Sequence, residues 1–252
     1  MELGDTPEST APKPWQVARA EAIEGILQKR GRRIGRTLDV GLADGYTGAR
    51  LFERLGMSSY VGYDAALTGA ECEALSREAF RITNTLPEAA NDFDLVLVRD
   101  ALEYAADDAL LLRDVRARVH SRGRVLVLVP AFEGLFSDYD RQLGRHRRYS
   151  LEELCGHLAS AGMPVQSSGY LFGSLLLPRV LRRASEVARS LVSRHRAGAP
   201  DLPSAARLGG VARRLAASAL ELENSALLSL NARGVKVPGI TAWALSDLYE
   251  VR

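Results

Sequence analysis

The feature that most constrains this chain is an alternation of short apolar segments with longer segments of helical periodicity. The apolar segments are typical of strands and lie at 37–41, 58–64, 79–83, 93–100 and 124–131. The helical segments lie at 15–30, at 46–56, in the stretch ECEALSREA and at 107–120. Parallel strands need a crossover connection, which is usually a helix. The alternation therefore predicts a parallel sheet with helices on both faces.

A more helical half follows the fifth strand. One helix is predicted to begin at Ser150, because Glu153 stands at the capping-box position. Strand-like runs at 164–170 and 240–252 then enclose a mostly helical stretch. The whole pattern predicts an α/β fold with a doubly wound, mostly parallel seven-stranded sheet. A helical insertion, at about 171–235, precedes the last strand.

The chain of 252 residues is long enough for one α/β domain with an elaboration. We predict a single domain over 15–252 after a disordered lead-in over 1–14, which is rich in Pro, Ser and Thr. The beginning of the chain has no apolar signal core, and no apolar run approaches the roughly 18 residues of a membrane span. These features predict a cytoplasmic protein.

Arginine dominates the basic residues, with 30 Arg against 3 Lys. Such an excess can indicate nucleic-acid binding, but 31 acidic residues lie among the arginines and the net charge is only +2. Basic residues suggest a partner where one sign dominates, so compositional bias is the better explanation and no nucleic-acid partner is expected. The histidines and the two cysteines have no metal-ligand spacing, and no metal is expected.

A glycine-containing turn follows the first strand, where residues 39–48 read DVGLADGYTG. In an open α/β sheet this turn brings a ligand to the amino end of a helix. Gly41 and Gly45 permit tight backbone conformations and close approach of a ligand. Ala43 can replace the usual middle glycine if its φ stays negative. The turn reads GxAxGxxG rather than GxGxxG, so it does not by itself identify the cofactor.

Two acidic residues favour one nucleotide over another. Asp39 is expected to point at the cofactor from the end of the first strand, where a carboxylate repels a pyrophosphate but suits an ammonium group. Asp64, at the end of the second strand, can hold a ribose diol. An ammonium group beside a ribose describes S-adenosylmethionine (SAM) better than NAD.

Four motifs carry a family resemblance: DVGLADG, VGYD, FDLVLVRDALEY and GRVLVLVPA. In this order they resemble the successive motifs of class I SAM-dependent methyltransferases. Residues 130–163 resemble a branch with a VPA…LFS..D…GH.RRY segment, some members of which occur with cell-envelope or sugar-transfer systems. The resemblance implies SAM as cofactor and S-adenosylhomocysteine (SAH) as product. The candidate cofactor-binding residues are Asp39, Gly41, Ala43, Gly45, Asp64, Ala65, Thr83, Asn84 and Arg99.

The chain departs from the family pattern at several positions. Besides Ala43, the acid that often follows the third strand is missing, although Thr83 and Asn84 stand there and Asn84 can offer hydrogen bonds. The GH of the branch reads Gly144-Arg145, with His146 one place later. This shift puts an inherited role for the histidine in doubt.

The candidate catalytic residues are His146 and Asp100. His146 is either a general base or an exposed histidine in a basic loop. Asp100 either contacts substrate or caps the next helix. The candidate substrate-binding residues are Asp140, Arg147 and Arg148, and the alternative for Asp140 is an ion pair with one of these arginines. Free guanidinium groups here would favour an anionic, glycosylated or lipid-linked small-molecule acceptor.

The insertion is strongly basic, with nine arginines over 171–220 against Glu186 and Asp201. Basic amphipathic helices can lie on an anionic membrane or cover a lipid-linked substrate. The alternative is a helical cap over the site, or a contact in a homodimer.

Three functions remain open from the sequence. The first is methyl transfer from SAM to an oxygen or nitrogen of a small molecule, in secondary or cell-envelope metabolism. The second is a non-catalytic pseudoenzyme that binds SAM or SAH, and the third is an NAD-linked enzyme.

Overall fold

A computed structural model describes residues 12–29, 32–42, 45–192 and 210–250. Ala43 and nearly all of the predicted lead-in therefore lie outside the described residues. The described chain forms a seven-stranded sheet in the order β3-β2-β1-β4-β5-β7-β6. Of these seven strands, β7 alone runs in the direction opposite to the other six. The predicted α/β fold with a mostly parallel seven-stranded sheet is confirmed.

The strands lie close to their predicted positions. They are β1 Arg36–Val40, β2 Ser59–Tyr63, β3 Phe80–Thr83, β4 Phe93–Arg99, β5 Val119–Pro130, β6 Val165–Leu171 and β7 Thr241–Asp247. The two faces of the sheet are read most easily from β4. Leu95 and Leu97 pack in the core on one face, and Val96 and Val98 pack in the core on the other. Burial on both faces explains why this strand is apolar throughout.

The helices cover both faces of the sheet. They are α1 Pro14–Gln28, α2 Tyr46–Arg54, α3 Gly69–Leu75, α4 Asp108–Arg116, α5 Asp138–Gln142, α6 Leu151–Ser160, α7 Leu176–Val192 and α8 Gly210–Ala232. The helix predicted over 107–120 ends early, at Arg116. Its predicted last turn belongs instead to β5, because Val119 is buried and pairs with Phe93 at the end of the sheet.

The carboxyl ends of the parallel strands meet at one edge, which we call the carboxyl edge. Asp100, Phe132 and Phe172 follow β4, β5 and β6 there, and each has a positive φ, at 47°, 64° and 59° respectively. Residues other than glycine rarely adopt this backbone conformation. Such strain is concentrated at functional sites, and ligands of open α/β sheets bind at this edge. The carboxyl edge is therefore the candidate site.

Candidate active site

The turn after β1 has the close backbone packing that its glycines predict. Gly41 has a φ of 90°, and a Cβ at this position would lie 2.1 Å from the carbonyl oxygen of Arg99. Gly45 has a φ of 74° and precedes the first residue of α2, and none of the described residues outside its chain neighbours lies within 4 Å of where its Cβ would be. Glycine is required at Gly41 by packing as well as by conformation. At Gly45 no side chain of the glycine itself covers the amino end of α2.

Beneath this turn lies a buried ion pair between Asp39 and Arg99. The guanidinium Nε of Arg99 donates to Oδ1 of Asp39 over 3.0 Å, and the hydroxyl of Tyr60 donates to Oδ2. Burial and the Asp39 carboxylate raise the pKa of Tyr60 well above its usual value. Arg99 also donates to the Leu42 carbonyl at 3.4 Å. Asp39 and Arg99 were both predicted to bind the cofactor. In the structure they pair inside the protein, and Arg99 also holds the backbone of the turn.

The end of β2 brings together the residues predicted to hold the ribose and adenine. Asp64 is half-buried, and its Oδ1 accepts a hydrogen bond from the backbone N–H of Ala66 at 2.9 Å. Its own backbone N–H donates to the Thr83 carbonyl over 3.1 Å. Asn84 donates from its side chain to the Leu67 carbonyl at 3.0 Å. These polar residues form a rim next to the glycine turn, and the exposed Ala65 lies beside Asp64.

Asp100 forms an ion pair with Arg19, which comes from α1. The Asp100 side chain remains 28% exposed, whereas that of Arg19 is nearly buried and lies over the ring of Trp15. Burial opposes ionisation of Asp100, but the guanidinium of Arg19 outweighs it and lowers the pKa of the carboxyl. Helix α1 therefore reaches the end of β4 and closes one side of the candidate site. The structure gives no sign that Asp100 caps the next helix, since Asp107 accepts from Leu110 instead.

Glu103 lies in a single 3₁₀ turn after β4 and is fully buried. Within the described part of the chain, neither of its carboxyl oxygens has a hydrogen-bond partner. The nearest cation is Arg145, whose Nε lies 3.6 Å from the Glu103 carboxyl. Burial and the negative charge of Asp100 raise the pKa of Glu103 to about 8. A buried carboxyl of this kind is typical of functional sites.

Asp140 is the centre of a second buried cluster. Its carboxylate accepts from Arg148 at 2.7 Å, from Arg145 at 3.1 Å and from the Ser137 backbone at 2.9 Å. Nη2 of Arg179, in α7, lies 3.6 Å from Oδ2 of Asp140. Burial opposes ionisation, but the hydrogen bonds from Arg148 and Ser137 lower the pKa of Asp140 to about 2. Asp140 thus forms the ion pair that the sequence offered as an alternative to substrate binding.

The predicted substrate-binding arginines are both in ion pairs. The Arg148 side chain is 3% exposed and bound to Asp140, so it has little surface to offer a ligand. Nη1 of Arg147 lies 3.0 Å from Oδ2 of Asp108, and the Arg147 side chain is partly exposed. The carboxylate of Asp108 also accepts from the hydroxyl of the buried Tyr149 at 3.1 Å. The sequence led us to expect free guanidinium groups at Arg147 and Arg148. In the structure both groups are instead bound in ion pairs.

His146 lies on the exposed surface of the loop before α6. Its backbone N–H donates to the Glu103 carbonyl over 2.8 Å. This contact ties the loop to the end of β4, although the imidazole itself is on the outside. A catalytic role for His146 remains a prediction.

Sequence reasoning missed four residues of these clusters: Arg19, Tyr60, Glu103 and Arg179. Glu103 stands in the quoted motif FDLVLVRDALEY, and a charged residue inside an apolar segment was a signal for it. No local signal marks the others, because each acts on a residue far away in the chain. Arg19, for example, meets Asp100 across 81 positions.

No family model and no curated protein sequence matches this chain. Solved structures do match it. The Haloferax volcanii complex between the Trm112 methyltransferase activator and its proposed methyltransferase matches at 15% identity and a TM-score of 0.53, covering 93% of this chain and 89% of that one. The YcgJ protein from Bacillus subtilis matches at 18% identity and a TM-score of 0.52, covering 90% and 96%.

A third match is phosphoethanolamine N-methyltransferase 2 from Haemonchus contortus, solved with phosphomonomethylethanolamine and SAH. Its identity is 17% and its TM-score 0.53, with 89% of this chain and 52% of that chain covered. At these identities the likeness shows the fold. The chain has the Rossmann-like fold of class I methyltransferases, as its motifs predict.

Two further findings concern the described residues only. None of the described helices is long and apolar enough to cross a membrane. No group of three or more His, Cys, Asp or Glu residues in the described part of the chain is arranged to hold a metal ion.

Proposed function

We propose that this protein transfers a methyl group from SAM to an oxygen or nitrogen of a small molecule. The observation that carries the proposal is the glycine turn at the carboxyl end of β1, in a sheet with the methyltransferase fold, with Asp64 at the end of the adjacent strand. When bound, SAM supplies a methyl group already activated by its sulfonium. The protein then mainly has to align the two reactants.

The residues present suit this cofactor. Gly45 has no side chain to cover the start of α2, and the helix backbone there can meet a polar group. Among the described residues, Oδ2 of Asp64 accepts no hydrogen bond, so it can take a ribose hydroxyl. Thr83 and Asn84 lie near Asp64, at the end of the next strand, and are proposed to meet the adenine. Asp39 and Arg99 act indirectly, by fixing the turn.

The acceptor site is proposed to lie at the end of β4. Arg19, Glu103 and Arg145 together present five buried polar atoms that have no hydrogen-bond partner in the described chain. Buried polar groups are normally paired, so the site is suited to a ligand that both donates and accepts hydrogen bonds. A hydroxyl or amino group does both. Asp100 and His146 are proposed to help orient this group or to receive its proton.

An anionic, glycosylated or lipid-linked acceptor remains part of the proposal, but different arginines now support it. Arg148 is committed to Asp140, whereas among the described residues Nε and Nη2 of Arg19 and Nε of Arg145 have no hydrogen-bond partner. A guanidinium with free donors can hold a carboxylate or phosphate. A cytoplasmic location is supported by the two free cysteines, Cys72 and Cys155, which suit a reducing compartment.

The test is a thermal-shift panel with SAM, SAH and NAD. A ligand that binds only the folded state raises the melting temperature, so SAM and SAH should do so and NAD should not. A shift with NAD alone would replace the proposal with an NAD-linked enzyme. The pseudoenzyme is the second candidate, since the Asp39 carboxylate is held inside the protein by Arg99 and Tyr60. It predicts that SAH binds but that no acceptor is methylated in an extract screen with labelled SAM.

A further inference from the structure

A cavity of about 520 Å³ lies beside β6, the last strand of the sheet. This volume is in the range of small-molecule sites. Residues 165–168, at the start of β6, line the cavity together with the ends of α1 and α8. The start of a parallel strand lies opposite the carboxyl edge. No candidate cofactor or acceptor residue that the structure describes lines the cavity, so it is separate from the candidate active site.

Lysines are concentrated at this cavity. The chain has 30 Arg and only 3 Lys, yet Lys29 and Lys236 both line the cavity, and both are exposed. Nζ of Lys29 donates to the Leu228 carbonyl at 3.2 Å, and Nζ of Lys236 donates to Oγ of Ser168 at 3.0 Å. An ammonium group has three donors, so each lysine can also bind an anion.

The acids of the surrounding elements are paired elsewhere or lie toward the carboxyl edge. None of the described residues that line the cavity is aspartate or glutamate. In α1, Glu24 pairs with Arg54 at 3.3 Å, and in β7, Asp247 pairs with Arg32 at 3.0 Å. In α6 and α8, the acids that precede the lining residues are Glu152, Glu153 and Glu223. Glu153 bonds to Ser150 and Glu223 to Ser174, and both of these serines lie at the carboxyl edge.

Two polar groups in the cavity wall have no partner among the described residues. They are the indole N–H of Trp243, a residue that is 3% exposed, and the buried Oδ1 of Asn231. Both residues lie near Gly169, which pairs with Trp243 in the sheet and whose Cβ, if present, would lie 2.8 Å from Oδ1 of Asn231. Buried polar groups are normally paired. One hydroxyl group can satisfy both, because it accepts from an N–H and donates to a carbonyl oxygen.

Apolar side chains form another part of the wall. Ile26, Leu228 and Leu245 line the cavity, and each is buried. An apolar wall with a small number of polar groups is typical of a site for a small molecule. The cavity is therefore suited to a ligand that has an apolar body as well as a negative charge.

We propose that this cavity binds a small hydroxy acid with an apolar body. Lys29 and Lys236 bind its carboxylate, Trp243 and Asn231 bind its hydroxyl group, and the buried leucines contact its apolar body. This inference does not depend on the proposed methyl transfer, because the cavity lies away from the carboxyl edge.

The test is titration calorimetry of the full chain with mandelate, which has a carboxylate, a hydroxyl group and a phenyl ring. We expect saturable binding in a phosphate-free buffer of low ionic strength. Phenylethane diol, in which an alcohol replaces the carboxylate, should bind at least about tenfold more weakly. Phenylacetate, which lacks the hydroxyl group, should bind several-fold more weakly.

Lys29→Gln with Lys236→Gln should weaken mandelate binding at least about tenfold. Both side chains are exposed, so we expect the double variant to fold. The matched control is Lys13→Gln, which removes the third lysine. Lys13 precedes α1 and does not line the cavity, so this variant should bind mandelate as the wild type does.

Several results would overturn the proposal. The wild type could fail to bind mandelate, the diol could bind as tightly as mandelate, or the double variant could bind as tightly as Lys13→Gln. Saturation with SAH should leave the affinity for mandelate unchanged. If SAH abolishes mandelate binding, the acid occupies the carboxyl edge and the proposal is wrong. Binding of inorganic phosphate without binding of mandelate would equally contradict it.

Discussion

Glu103 is the residue whose environment has the clearest consequence for stability. Its carboxyl is fully buried and accepts no hydrogen bond from the described residues, and its pKa is raised to about 8. A group with a raised pKa in the folded state binds its proton more tightly there than in the unfolded chain. Its contribution to stability is therefore present below about pH 4.5 and is lost as the pH rises toward 8.

We predict that Glu103→Gln flattens this pH dependence. Glutamine has no proton to lose, so the variant should gain stability relative to the wild type as the pH rises from 5 to 8. The slope of this difference approaches about 1.4 kcal/mol per pH unit for one proton. Urea unfolding at several pH values measures it. The exposed Glu152→Gln should show no such gain, and parallel curves for Glu103→Gln and the wild type would contradict the environment described for Glu103.

At the residue scale, the sequence predicted where the acidic side chains lie but not which side chains they contact. The sequence placed Asp39, Asp64 and Asp100 at the ends of strands, and the structure has them there. It could not assign their partners, because Tyr60, Arg99 and Arg19 approach through tertiary packing. The same holds for Arg148, which the sequence offered to a ligand and the structure pairs with Asp140.

At the scale of elements, local signals predicted well where they act within one turn. The capping box of α6 is an example, since Ser150 accepts from the Glu153 backbone and Glu153 accepts from the Ser150 backbone. The boundary of α4 was predicted less well. Residues after Arg116 are compatible with a helix, but pairing of Val119 with Phe93 extends β5 instead. Sheet pairing is a long-range interaction that a local pattern does not contain.

We predict that Ser150→Ala lowers the free energy of unfolding by about 0.5–2 kcal/mol, because it leaves the Glu153 backbone N–H without its cap. Ser160→Ala, at the last residue of the same helix, is the matched control and should change stability by less than about 0.5 kcal/mol. Chemical unfolding of the three proteins measures both effects. Equal effects of the two substitutions would show that the cap does not determine the stability of α6.

The insertion shows what periodicity can and cannot predict about an element. The amphipathic pattern predicted helices, and α7 and α8 are present. The pattern did not predict which side faces the protein. That orientation depends on Arg179 and Asp140, which lie in separate elements and meet only in the folded chain.

For the whole molecule, the alternation of strands and helices was sufficient to predict the fold. Apolar strands and turn glycines act through local physics, and a parallel order follows from the crossover helices. The acceptor is not encoded in this way, because methyltransferase folds serve many substrates. The proposed methyl transfer therefore depends most on the cofactor site between Gly41, Gly45 and Asp64.

Titration calorimetry of SAH with the wild type and Asp64→Ala tests that site most directly. We expect the wild type to bind, and Asp64→Ala to weaken binding at least about tenfold, since charge-assisted hydrogen bonds to a ribose contribute about 1.5–3 kcal/mol. Asp114→Ala, which removes a surface carboxylate from α4, should bind as the wild type does. Equal affinity of Asp64→Ala and the wild type, or no binding of SAH to the wild type, would contradict the account.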